Sequence, residues 1–137
     1  MTAILGVDPG PTPGVVTLFV WTGIVGDVVV GGEPLSAMRL ADWVAVERFI
    51  VGRGTARKTR GASMETIAQA VALHDAAKAM GKPVQYLPAG SVKPIVTDAR
   101  LKRYGVWDML KGPHQRDAAR HAVFMGLQHG ALDPLSV

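Results

Sequence analysis

The first thirty residues leave the chain little choice of fold. Ile4–Val7, Val15–Val20 and Val25–Val30 are short β-rich runs, and the segments between them are too brief to hold a helix. The first connection, Pro9-Gly10-Pro11-Thr12-Pro13-Gly14, places three prolines and two glycines in six residues, which forces a tight, stiff turn. Thr22-Gly23 supplies the second. Three such runs joined by short turns predict an antiparallel meander that everything downstream must join.

Downstream, Ser36–Asp42 reads as about two helical turns with Ser36 as N-cap. Val44–Val51 returns to β character, with Glu47-Arg48 inside it. The longest helical segment is Ala62–Met80, stopped by Gly81 and Pro83. Its alanines (Ala68, Ala70, Ala72, Ala76, Ala77, Ala79) lie on almost every face. Small residues all round permit close approach on two sides, which predicts that one side meets a second subunit. Val84–Leu87 is a fifth strand. Ser91–Val96 and Asp98–Tyr104 read as short helices, the latter opened by Thr97, and His114–Gln128 as a final helix between Gly112-Pro113 and Gly130.

This order implies an α/β fold with a five-stranded mixed sheet, three strands antiparallel and two parallel, flanked by helices. With no repeat and no linker, residues 1–137 form one domain around a single core. At 48% hydrophobic and 19% charged residues, disorder is excluded. No apolar run approaches the ~20 residues of a membrane span. The strand-like run begins almost at Met1 without the basic region or cleavage site of a signal peptide, and none is expected. Cysteine is absent, which excludes disulfides and thiolate zinc sites and suits a reducing cytoplasm.

Fifteen Lys and Arg against eleven Asp and Glu give a net charge of +4. The cations fall in separate groups: Arg53, Arg57, Lys58 and Arg60; Lys93, Arg100, Lys102 and Arg103; Lys111, Arg116 and Arg120. Basic segments that can converge on one face suit a phosphate-rich partner.

The acids are more telling. Right-handed crossovers bring the fourth strand in parallel beside the first, which sets Asp8 next to Glu47. A carboxylate inside a central strand is costly unless paired; an edge strand with Glu47 in solvent is the plainer alternative, as is a turn-capping Asp8. His114 and Asp117 stand one turn apart on the final helix, and His121 follows on a related face. Two carboxylates ~4 Å apart repel by about 4 kcal/mol at an effective dielectric of ~20. Three therefore need a positive counterpart. Oxygen donors with one imidazole suit magnesium or manganese and leave positions open for water and phosphate.

The segments Ile4-Leu5-Gly6-Val7-Asp8-Pro9-Gly10, Val46-Glu47-Arg48 and His114-Gln115-Arg116-Asp117-Ala118-Ala119 together resemble RuvC-type Holliday-junction resolvases, particularly the compact phage-encoded members. The resemblance runs in the same order through nearly the whole chain. It implies a ribonuclease-H-like fold, a homodimer built on helix 62–80, and nicking of branched DNA with two magnesium ions, manganese also serving. It makes Asp8, Glu47, His114 and Asp117 the metal-binding and catalytic set, with Lys93 as a catalytic lysine on the DNA backbone. Arg53, Arg57, Lys58, Arg60, Lys102 and Arg103 become expected DNA contacts. Two other readings stay open: a branched-DNA binder without activity, and a ribonuclease H acting on RNA–DNA hybrids. The Asp-Pro-Gly turn also occurs in actin-like ATPases, but 137 residues cannot hold two such domains.

Overall fold

The computed structural model describes residues 1–49 and 64–134. β1 (Thr2–Asp8), β2 (Gly14–Trp21) and β3 (Ile24–Val30) form the antiparallel meander. α1 (Pro34–Leu40) leads to β4 (Trp43–Glu47), and α2 (Met64–Ala79) to β5 (Val84–Leu87). α3 (Ala89–Val92), α4 (Asp98–Arg103), a 3₁₀ turn (Trp107–Met109) and α5 (Pro113–Gln128) complete the described chain. The sheet runs β3-β2-β1-β4-β5, with β4 parallel to both β1 and β5. A five-stranded mixed α/β sheet is what the sequence predicts.

Alternation along the strands divides the interior between the two faces of the sheet. Ile4, Val16, Leu18 and Ala45 point to the face covered by α5, with Val92 of α3 and Leu101 of α4. Leu5, Val7, Val44 and Val46 point to the other, against Met38 of α1 and Ala70, Leu73 and Ala77 of α2. By the same period of two, Asp8 shares the α5 face with Ile4, and Glu47 shares it with Ala45.

Small residues let α5 lie close on the sheet. A Cβ at Gly6 would run into the main-chain carbonyl of Ala118, and one at Gly14 into that of His114. Ala118, Ala119 and Ala122 of α5 are fully buried. Gly112, at φ +87°, turns the chain into α5, and Pro113 occupies the first turn, where its missing N–H is harmless.

Several boundaries differ from expectation. Glu33, not Ser36, caps α1, its carboxylate accepting from the N–H groups of Leu35 and Ser36 at 3.1 and 2.8 Å. Pro34 is the reason: it takes the first helical position, so the cap falls three residues early, on Glu33. β4 ends at Glu47 instead of continuing to Val51; Ile50 and Val51 lie outside the described residues. The short helix expected over Ser91–Val96 covers Ala89–Val92, whereas Thr97 caps α4 as anticipated, its hydroxyl accepting from Arg100 N at 3.2 Å. α2 buries one face only, through Thr66, Ala70, Leu73 and Ala77. None of the described helices is long and apolar enough to cross a membrane.

Candidate metal centre

β1 and β4 are parallel neighbours, and their register (Gly6 opposite Ala45, Val7 opposite Val46), carried on by one residue, sets Asp8 beside Glu47. Each is the last residue of its strand, so both carboxylates emerge at the same carboxyl-terminal edge. Functional groups collect at such edges because the strands hold them while the following loops leave space. α5, pressed on this face by Gly6 and Gly14, supplies Asp117 from its second turn.

Oxygens of Asp8, Glu47 and Asp117 all lie within 4.8 Å of one another. Asp8 and Glu47 are buried, at 3% and 5% exposure, while Asp117 is partly exposed. Burial, reinforced by the charge of Glu47, pushes the Asp8 carboxyl up to about 7; Asp117 adds to the rise and a hydrogen bond from His114 opposes it. Burial and like charge thus both disfavour the ionised form of Asp8. An all-oxygen donor set of this kind can hold a divalent metal ion.

Each acid has its own basic neighbour. His114 Nδ1 is hydrogen-bonded to Asp8 Oδ2 at 2.9 Å, with most of its ring open to solvent. His121 Nε2 lies 3.2 Å from Glu47 Oε1, and both side chains are buried. Asp117 Oδ1 is 3.6 Å from Lys93 Nζ and 3.6 Å from Arg120 Nε. Arg120 also binds Asp98 at the start of α4 and the carbonyl of Val96. Behind the acids, the turn after Asp8 is pinned to α2: Gly10 N donates to Gln69 Oε1 at 2.9 Å.

The structure therefore brings together Asp8, Glu47, Asp117, His114 and Lys93, which are distant in sequence. The converging ligand atoms are those of the three carboxylates; His114 adjoins them through Asp8. Lys102 and Arg103 are exposed on α4. Lys102 Nζ sits 4.8 Å from the centre of the Trp107 ring, and Arg116, one residue before Asp117, sits 4.6 Å from it. Arg53, Arg57, Lys58 and Arg60 lie outside the described residues. Sequence reasoning gave no role to His121, Arg120 or Gln69 at the site. For the first two a signal existed: they stand four and three residues beyond Asp117 on one helix. For Gln69 nothing in the sequence marks it. Among known proteins, no family model and no curated sequence matches this chain.

Proposed function

We propose that this chain is a divalent-metal-dependent endonuclease that nicks Holliday junctions and other branched DNA, a compact RuvC-type member of the ribonuclease-H-like fold. The observation that carries the reading is the convergence of Asp8, Glu47 and Asp117 from β1, β4 and α5. The order and spacing of these acids are those on which the sequence resemblance rests.

The fitting cofactor is a pair of magnesium ions, with manganese as a substitute, since the donors are hard oxygens. When bound, such ions activate water and stabilise the leaving oxygen of a phosphodiester. Asp8, Glu47 and Asp117 are the carboxylates that would hold the metal. His114, hydrogen-bonded to Asp8 and open to water, would orient that carboxylate or position a water beside it. Lys93, half exposed beside Asp117, offers its ammonium to the phosphate at the reacting bond. Lys102 and Arg116, which share the Trp107 ring, and Arg103, exposed beside Lys102 on α4, add the positive charge a DNA backbone would need. The exposed face of α2 (Ala68, Val71, Ala72) is the proposed dimer contact, which would present two such centres to one branched substrate.

The reading is tested by incubating the protein with four-way, three-way, flap and linear DNA and with an RNA–DNA hybrid, in magnesium and in manganese. Branched DNA should be nicked. Asp8→Asn and Glu47→Gln should fall to background while still shifting a labelled junction in gels. Cleavage of the hybrid alone would replace the reading with a ribonuclease H. Binding without any nicked product from the unaltered protein would overturn the enzyme altogether.

A further inference from the structure

Metal ligands in proteins are commonly held in orientation by a further hydrogen bond from behind. Glu47 has such a partner in His121, 1% exposed and 3.2 Å from its Oε1. The other ring nitrogen, Nδ1, is buried and has no hydrogen-bond partner among the described residues. A histidine serving only to fill space would be an expensive choice here, because a leucine would occupy the volume without leaving a buried polar atom unsatisfied. The ring is retained at that cost for what Nε2 does.

We infer that His121 is a positioning residue that fixes the Glu47 carboxylate toward Asp8 and Asp117; the inference rests on the metal-centre reading above. Like-charge repulsion would otherwise favour rotation of the Glu47 side chain away from Asp8. A metal-binding carboxylate only accepts hydrogen bonds, so Nε2 carries the hydrogen; Nδ1, buried with no acceptor among the described residues, is left bare. In this neutral tautomer His121 orients the carboxylate without cancelling its charge, which stays available to a cation. A lysine or arginine in its place would compete with the metal. The turn carrying His121 is itself fixed: the side-chain amide of Gln85, on β5, donates to the His121 carbonyl at 3.2 Å.

The test uses the full chain and Mn²⁺ alone, with free metal followed by electron paramagnetic resonance, so no cleavage is required. His121→Leu should weaken Mn²⁺ binding about tenfold or more, the range seen when such supporting bonds are removed. His121→Gln, whose amide can still donate to Glu47, should stay within about threefold of the unaltered protein. In a Glu47→Gln background, His121→Leu should cost nothing further. Equal losses in the Leu and Gln variants, or none in either, would overturn the positioning role while leaving the metal centre intact. Failure of the unaltered protein to bind Mn²⁺ would overturn the centre itself, and the inference with it. Should His121→Leu not fold, the ¹⁵N shifts of the His121 ring in the unaltered protein decide the matter. An Nε2–H tautomer is expected, and an Nδ1–H tautomer would refute the proposed bond.

Discussion

Asp8 is where the proposed metal site and stability conflict within one side chain. Its carboxyl, ordinarily near 3.8, is pushed up to about 7, first by burial and then by Glu47. Between these values the folded chain holds a proton that the unfolded chain has released. The native state therefore binds more protons, and stability falls as pH rises through the window. A divalent cation opposes this trend, because it favours the ionised carboxylate and expels the proton. The melting temperature of the metal-free protein should thus drop between about pH 4 and pH 7, and the upward shift produced by millimolar Mg²⁺ should grow over the same interval. Asp8→Asn should flatten the first dependence and raise the melting temperature in chelator at pH 8. At this chain length each kcal/mol corresponds to roughly 3–5 °C. An Asn variant with the unaltered slope would place the titration elsewhere. That an acid sits at position 8 is plain from the sequence; that it is 3% exposed beside a second acid is not.

At the scale of elements, the site depends on how closely α5 approaches β1 and β2. Gly6 and Gly14 set that distance by carrying no side chain on the helix side. Gly6→Ala should cost about 1–3 kcal/mol in chemical denaturation, the usual price of overpacking a dense core. It should also weaken Mn²⁺ binding, because the displaced helix carries Asp117, while Gly90→Ala, which meets no atom within 4 Å, should do neither. A Gly6→Ala protein with full stability would show that the helix has room to spare. The element boundaries divide along the same line between local and distant causes. Thr97 caps α4 through a bond spanning three residues, and the sequence shows it. Ser36 is the better α1 cap in isolation, but Pro34 fixes where the helix begins and gives the cap to Glu33.

At the scale of the whole molecule, α2 turns Thr66, Ala70, Leu73 and Ala77 inward and leaves Met64, Ala68, Val71 and Ala72 in solvent. If this face joins two copies, light scattering should give a mass near twice 14.5 kDa, and Val71→Glu should halve it without lowering helix content. A single-chain mass for the unaltered protein would remove the dimer. The larger architecture follows from what neighbouring residues settle among themselves: the meander, the helix stops, and the placing of His114 and Asp117 one turn apart. Those features depend on turn chemistry and periodicity, which act over a few residues and are written in their order. The sequence also brought Asp8 and Glu47 together, through the handedness of a crossover. Which base serves which acid was decided only in three dimensions. His114 to Asp8 and His121 to Glu47 are contacts across 106 and 74 residues, and their distances are fixed by how deeply a helix sinks onto a sheet. That depth reflects packing of the whole interior, which no local pattern encodes.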